Sequence, residues 1–154
     1  MSELGFSKQS NYLRCKNSAI YSLAMREHSR NELYKKISQK EYSEDVDLNK
    51  LLDELEESDY LSDQRFTESF IRYRISRGQG KVKIINDLKM RGVSTSLIIQ
   101  SIQQADVDWD LLASQLREKK YGENIPDDYK EKVKQMRFLS SRGFDAEMIR
   151  YAIG

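Results

Sequence analysis

The segment Leu88-Lys89-Met90-Arg91-Gly92-Val93 decides the fold because the chain repeats it. A counterpart 51 residues later reads Leu139-Ser140-Ser141-Arg142-Gly143-Phe144, and a looser one 51 residues earlier begins at Ile37 and continues as Lys40-Glu41-Tyr42. Each copy holds an apolar residue, a basic residue, a Gly or its substitute, and a second apolar residue. A period of about 50 residues is typical of a helical unit that stacks on its own copies. The pattern favours a long binding surface over a catalytic pocket.

The composition agrees with a helical chain. Of the 154 residues, 33% are charged and 38% are hydrophobic, and only one is Pro and seven are Gly, which argues against a loop-rich β-sandwich. We therefore predict an all-α protein of three tandem three-helix repeats. Residues 1–14 lack clear periodicity and are predicted to form a flexible arm. Residues 15–154 are predicted to form a single helical domain, with repeats at 15–59, 60–106 and 107–154.

Apolar spacing and end signals place nine helices. The predicted spans begin near Lys16, Arg30, Val46, Asp63, Lys81, Thr95, Trp109, Pro126 and Ala146. Ser29 and Glu32 fit a capping box at the start of the second helix. Gly92 and Gly143 are placed to end helices in a left-handed turn, and Asp145 to cap the last helix.

The formal net charge of +1 hides a strong segregation of charge. Residues 41–63 hold ten acidic side chains and one Lys, whereas residues 72–91 hold seven basic side chains and one acid. One interpretation of the basic stretch is a solvated helix face. The other is a surface that meets a polyanion or an acidic protein.

Four segments resemble the signatures of the RecX family, the bacterial regulators of the RecA recombinase. They are Arg26-Glu27-His28-Ser29-Arg30 with Glu32-Leu33, Tyr60-Leu61-Ser62-Asp63-Gln64-Arg65-Phe66, Arg77-Gly78-Gln79-Gly80 with Arg91-Gly92-Val93, and Arg137-Phe138-Leu139-Ser140-Ser141-Arg142-Gly143-Phe144. Together they cover about Ala19 to Ile153. Glu41 departs from a Gly that is common in the family, and Lys81 departs from a Pro, which leaves the local loop geometry open.

The resemblance implies an elongated, curved array of three-helix repeats without enzymatic activity. It also implies binding to RecA and to the RecA–DNA filament, inhibition of filament extension and strand exchange, and restraint of SOS induction. DNA itself is a further candidate partner. The alternative to this function is a helical DNA-binding module that acts on nucleic acid without RecA, and a third hypothesis is a helical adaptor for some other protein.

A basic surface is the predicted binding site for RecA or DNA, because Arg and Lys supply phosphate contacts. The candidate residues are Arg26, Arg30, Arg65, Arg72, Arg74, Arg77, Lys81, Lys83 and Arg91. Arg65 has two interpretations: it pairs with nearby acids, or it contacts the partner.

Other conspicuous residues are interpreted mainly as structural. His28 is a loop-end residue in preference to a pH sensor, since the chain has no second His. The aromatic residues Phe66, Phe70, Tyr73 and Trp109 follow helical stripes and are predicted to pack in the core, whereas Tyr12 and Tyr129 remain open. Arg142 and Gly143 are expected to shape a turn.

Catalysis, metals and cofactors are not expected. One His and one Cys cannot build a His/Cys metal site, and Cys15 with His28 lacks a third residue or a recognisable elbow. Gly78-Gln79-Gly80-Lys81 lacks the spacing of a phosphate-binding loop. The lone Cys15, the absence of an apolar secretory core near the start and the absence of a long apolar run make the cytoplasm the expected location.

Overall fold

The computed structural model describes residues 2–154, with side chains described from Ser10 onward. Within this range every regular element is helical and no strand is present. The nine α-helices are α1 Ser2–Met25, α2 Arg30–Ser38, α3 Leu48–Glu57, α4 Asp63–Ser76, α5 Lys81–Met90, α6 Thr95–Ala105, α7 Trp109–Tyr121, α8 Tyr129–Ser141 and α9 Ala146–Ile153. A 3-10 turn, Glu41–Ser43, lies between α2 and α3. The predicted all-α class and the nine helices are confirmed.

The predicted end signals explain most helix boundaries. The Ser29 side chain accepts from the Glu32 amide while the Glu32 carboxylate accepts from the Ser29 amide, so the capping box is present. Asp145 caps α9 by accepting from the Met148 amide. Gly92 and Gly143 adopt φ values of +80° and +100°, the left-handed turn that a helix-ending Gly permits.

Three predicted boundaries are wrong. The first helix begins at Ser2, not near Lys16, so residues 2–14 are helical. The flexibility predicted for the arm stays a prediction. Half-buried Tyr12 packs against the core of the first unit, and the Arg14 guanidinium lies 4.1 Å from the centre of the Tyr42 ring. These contacts involve residues distant in sequence, which periodicity alone does not reveal. The boundary of the domain at residue 15 stays a prediction.

The other two corrections have local causes. Helix α3 begins at Leu48 instead of Val46, because Asp47 takes the cap position and accepts from the Lys50 amide. Helix α8 begins at Tyr129 instead of near Pro126. The carbonyls of Glu123 and Asn124, just before it, accept hydrogen bonds from the Arg117 guanidinium and so belong to a loop held from α7.

The chain divides into two compact units. The first runs to Ser69 and includes Arg91–Ser94; the second comprises Phe70–Met90 and Thr95–Gly154. The core of the first unit is built by α1, α2 and α3. Its buried members are Cys15, Ala19, Leu33, Ile37, Leu48, Leu51, Leu52, Leu55 and Leu61. Burial of each large aliphatic side chain contributes about 1.5–3 kcal/mol, which holds these helices together.

In the second unit α7 packs on α9 and on α8, α8 packs on α9, and α5 packs on α6. Its buried apolar residues include Ile71, Ile84, Leu88, Ile98, Ile102, Trp109, Ala113, Leu139, Phe144 and Ile149. Arg117 is also buried, at 1% exposure. Its guanidinium donates to the Ala152 carbonyl, to the loop carbonyls of Glu123 and Asn124, and to the Gln135 side chain, so the charge is solvated by neutral acceptors.

The repeat seen in the sequence is also a repeat of contacts. The Ser29 hydroxyl donates to the Arg91 carbonyl at 2.8 Å, and the Gly80 amide donates to the Arg142 carbonyl at 2.7 Å. Both the donors and the acceptors are 51 residues apart. We call the first pairing, at Ser29 and Arg91–Gly92, the first junction, and the second, at Gly80 and Arg142–Gly143, the second junction.

Candidate polyanion-binding groove

Four of the nine predicted binding residues lie in the first unit, and each is paired with an acid. Arg30 forms ion pairs with Asp53 at 2.8 Å and with Glu56, and its guanidinium also donates to the Asn49 carbonyl at 3.2 Å. The Arg30 amide donates to the Asp63 carboxylate at 2.7 Å. Burial raises the pKa of that carboxyl, and the bond from Arg30 opposes the shift. Arg30 therefore ties α2 to α3 and to the start of α4.

Arg65 also pairs within the chain. Its guanidinium reaches Glu27 at 3.0 Å and Asp59 at 2.8 Å, and it donates to the Asp59 carbonyl. The first interpretation of Arg65, that it pairs with nearby acids, therefore describes the folded chain.

Arg26 and Arg91 share Glu32 as their acid. Glu32 lies 3.4 Å from the Arg26 guanidinium and 3.5 Å from that of Arg91, while it completes the capping box with Ser29. The first unit thus balances all four of its predicted cations with carboxylates. Several of these acids come from the acidic segment 41–63.

The second unit contains a groove of about 780 Å³ that begins at the second junction. It is lined by the end of α4, the Arg77–Gln79 loop, Lys83 of α5, one side of α7 and Arg142. Its cations are Arg74, Arg77, Lys83, Lys119 and Arg142, and no acidic residue lines it. Like charges gathered around a concave surface raise the local concentration of anions.

Two of these cations have partners that hold the groove in shape. Arg74 pairs with Asp87 at 2.7 Å, donates to Gln79 at 2.8 Å, and stacks over the Phe70 ring at 4.3 Å. Arg142 donates to the Gly78 carbonyl at 3.2 Å and to the Arg77 carbonyl. The remaining cations, Arg77, Lys83 and Lys119, form no ion pair within the part of the chain that the structure describes.

The close approach at the second junction explains its glycines. A Cβ on Gly80 would lie 2.6 Å from the Gly143 carbonyl, and a Cβ on Gly143 would collide with Lys83. The Val82 amide donates to the Gly143 carbonyl at 2.9 Å and fixes the start of α5 beside this turn. The third and fourth signature segments therefore meet here, and their glycines allow the backbones to touch.

The structure brings together Arg74, Arg77 and Lys83 from the predicted set. Arg72 is exposed on α4 and Lys81 is half-buried at the start of α5, and neither lines the groove. Sequence reasoning missed Lys119 and assigned Arg142 only a structural role. Arg142 lies 51 residues after Arg91, which was in the predicted set, and this repeat spacing could have identified Arg142 as a candidate binding residue.

The aromatic predictions are correct with one exception. Phe66, Phe70 and Trp109 are buried, at 3%, 9% and 9% exposure, but Tyr73 is 59% exposed and lines the groove. Ile71, at 1% exposure, takes the inward position that was expected for Tyr73. Of the two tyrosines left open, Tyr12 is half-buried, and burial, with a further contribution from Glu54, raises its pKa to about 12.

His28 and Cys15 have structural surroundings. The His28 ring is 2% exposed, its Nδ1 lies 3.0 Å from the Arg26 carbonyl, and burial lowers its pKa. This is the loop-end position that we preferred to a pH sensor. Cys15 is fully buried, and burial raises the pKa of its thiol, which disfavours the reactive thiolate.

No helix within residues 2–154 has both the length and the apolarity to cross a lipid bilayer. No group of three His, Cys, Asp or Glu side chains in that range is arranged to hold a metal ion.

Successive three-helix repeats, the last two with a glycine turn before their third helix, define a helical-repeat protein, and the comparisons with known proteins agree. Three family models match in order: the first three-helix domain of RecX over residues 15–46, the second over 62–101, and the third over 110–153. These ranges include more than half of the chain, and they confirm that it holds three three-helix repeats. The bounds predicted for the repeats stay a prediction. The elongated, curved shape expected for their array stays a prediction.

The relatives lead to the same family. The chain is 36% identical to "Regulatory protein RecX" of Halorhodospira halophila over 152 aligned residues. The aligned region covers 99% of this chain and 91% of the relative. It is 38% identical over 138 residues to "Regulatory protein RecX" of Chromohalobacter salexigens, covering 90% of each. The crystal structure of RecX from Lactobacillus salivarius shares the fold, with a TM-score of 0.77 at 20% identity over 94% of this chain and 96% of that one. The chain belongs to the RecX family and has a regulatory role.

Proposed function

We propose that this protein binds the RecA recombinase and its DNA filament and thereby inhibits filament extension, strand exchange and SOS induction. Its regulation would act through binding without catalysis, in the cytoplasm. The observation that carries the proposal is the groove at the second junction, where Arg77, Lys83 and Lys119 have no acid to neutralise them within the described residues. Family membership supplies RecA as the partner to test.

The groove suits a filament of protein and DNA because both components can present anions to it. Unpaired cations can contact phosphates, and they can also face acidic patches of a protein. The attraction speeds the encounter and weakens as salt rises. Arg74 and Arg142 also line the groove, but Arg74 is paired with Asp87 and Arg142 donates to backbone carbonyls. Their main role is therefore to hold the groove in shape.

The test is inhibition of RecA ATP hydrolysis on single-stranded DNA as this protein is titrated. A variant carrying Arg77→Glu, Lys83→Glu and Lys119→Glu is expected to need at least roughly tenfold more protein for half-inhibition. The matched control reverses three exposed lysines of the first unit, Lys35, Lys36 and Lys40. Circular dichroism and thermal melting should show both variants folded.

Unchanged inhibition by the groove variant would reject the groove as the contact with the filament. An absence of inhibition by the wild-type protein would reject the RecA function itself.

A second candidate function is nucleic-acid binding without RecA, since unpaired cations serve a bare strand equally well. Binding to DNA that is equally tight with and without RecA, together with no effect on filaments, would favour it. The nearly balanced overall charge favours the first proposal, because a dedicated DNA-binding domain usually has a larger basic excess.

A further inference from the structure

Helix α8 presents a second basic surface that the predicted site did not include. Lys130, Lys134 and Arg137 follow one another at helical spacing and are all exposed. With Tyr129 and Val133 they line a cleft of about 380 Å³. We call these five residues the α8 surface. Its cations extend along about 10 Å of helix, at 1.5 Å per residue.

The cations of the α8 surface are not neutralised locally. None of them forms an ion pair among the residues that the structure describes. The one acid on α8, Glu131, accepts instead from Gln135 at 3.3 Å, and Gln135 is buried and accepts from Arg117. The carboxylate is therefore tied to the hydrogen-bond network of the interior, and the positive charge of the surface is left to attract an external anion.

Aromatic rings accompany these charges. Tyr129 is 78% exposed, although a ring of this size is usually at least partly covered. Nearby, Tyr121 and Phe138 pack edge to face with ring centres 5.6 Å apart. The Lys134 ammonium lies 6.0 Å from the Tyr121 ring, and the Lys120 ammonium 4.5 Å from the Phe138 ring. Lys134 of the α8 surface therefore lies beside a ring, and Lys120 of α7 adds a further cation to the same aromatic pair.

We propose that the α8 surface binds a single strand of nucleic acid, with phosphates on Lys130, Lys134 and Arg137 and an unpaired base on the Tyr129 ring. Basic tracks with exposed aromatic rings are typical of single-strand binding, because every base has a face that can stack. A duplex keeps its bases stacked inside and offers Tyr129 none. The carboxylates of an acidic protein surface would use the cations, but the negative face of the Tyr129 ring repels them, whereas a base stacks on it. The site does not depend on the proposed function, since RecA takes no part in it.

The test is fluorescence anisotropy of a labelled 20-nucleotide oligo-dT with the full chain, at several salt concentrations and without RecA. Replacing Lys130, Lys134 and Arg137 with Ala should weaken binding at low salt at least roughly tenfold. It should also make the negative slope of log association constant against log salt concentration shallower by about 2, because each lost phosphate contact on a single strand accounts for about 0.7. Tyr129→Ala should weaken binding roughly tenfold without changing that slope, and Tyr129→Phe should keep the affinity.

The control replaces Lys35, Lys36 and Lys40 with Ala and should leave binding near the wild-type value. Unchanged affinity and slope in the α8 variant would overturn the proposal. So would a variant that keeps oligo-dT binding but loses binding to RecA alone, because that result identifies an acidic protein surface as the ligand.

Titrating the wild-type protein gives a check that requires no variant. Oligo-dT should shift the backbone amide resonances of residues 129–137, and shifts confined to other helices would also overturn the proposal.

Discussion

The first and second junctions share a backbone arrangement and differ in charge. In each, a helix-ending Gly with positive φ follows an Arg whose carbonyl accepts a hydrogen bond from a residue 62 positions earlier in the chain. The side chains around the shared frame are unlike. Glu32 at the first junction neutralises Arg26 and Arg91, whereas Lys83, 51 residues after Glu32, adds a cation to the second.

Arg91 and Arg142, which precede the two helix-ending glycines, also differ in the groups that their guanidinium groups contact. Arg91 points its guanidinium at an acid, and Arg142 uses its own to hold the Arg77 and Gly78 carbonyls. The cleft at the first junction, of about 350 Å³, contains both Arg30 and Asp63, while the larger groove at the second contains cations without acids. The repeat therefore preserves the glycine turn and the hydrogen bond accepted by the Arg carbonyl, whereas binding properties reside in the side chains placed around them.

The largest loss of stability is expected from substitutions of the glycines in the two helix-ending turns. Gly143→Ala forces a Cβ onto Lys83 and strains a left-handed backbone, and Gly92→Ala forces a Cβ to 2.5 Å from the Asn31 Cβ. Each should lower the free energy of unfolding by about 2–4 kcal/mol in urea titrations. Exposed Ser140→Ala is the control and should change it by less than about 0.5 kcal/mol. A loss below about 1 kcal/mol at either Gly would mean that its junction does not have the close contact at the glycine turn.

A smaller effect should separate the junctions electrostatically. Glu32→Ala removes the partner of two arginines and half of the capping box, so we expect a loss of about 1–2 kcal/mol in unfolding free energy. Lys83→Ala, at the matching position, removes no ion pair and should stay within about 0.5 kcal/mol. Equal losses from the two substitutions would contradict the claim that the charge of Glu32 is paired within the fold and the charge of Lys83 is not.

The smallest effect concerns pH and the first unit alone. Burial lowers the pKa of His28 below the ordinary value of 6.5, so the unfolded chain binds a proton there more readily than the folded chain. Stability should therefore fall as pH drops through about 6.5, by up to about 1.4 kcal/mol per pH unit. Urea midpoints at pH 7.5 and 5.5 would measure it. Because His28 is the one His in the sequence, His28→Gln should abolish the loss, and an equal loss in that variant would assign it elsewhere.

Much of the fold could be predicted from the sequence because its determinants are local. The Ser29–Glu32 capping box, the Asp145 cap and the glycines at 92 and 143 act within a few residues of each helix end. The start of α1 could not be predicted in this way. Tyr12 and Arg14 are held by contacts with residues far along the chain, and those contacts leave no periodic pattern.

The candidate site was only partly predictable for the same reason. Arg74, Arg77 and Lys83 lie in one basic stretch, so their charge was visible in the sequence, whereas Lys119 and Arg142 reach the groove from the third repeat. The pairing of Arg30 with Asp53 and Glu56 depends on residues 23 and 26 positions away. A count of charges identifies the basic segments, but it does not show which cations the fold neutralises.

The most direct test is the salt dependence of binding to preformed RecA filaments on single-stranded DNA. The variant with Arg77→Glu, Lys83→Glu and Lys119→Glu should bind more weakly than the wild type and lose the part of the salt dependence that these three cations contribute. The variant with Glu at positions 35, 36 and 40 should keep the wild-type affinity and slope. If the two variants behave alike, the charge difference between the second unit and the first does not direct binding, and the account is contradicted.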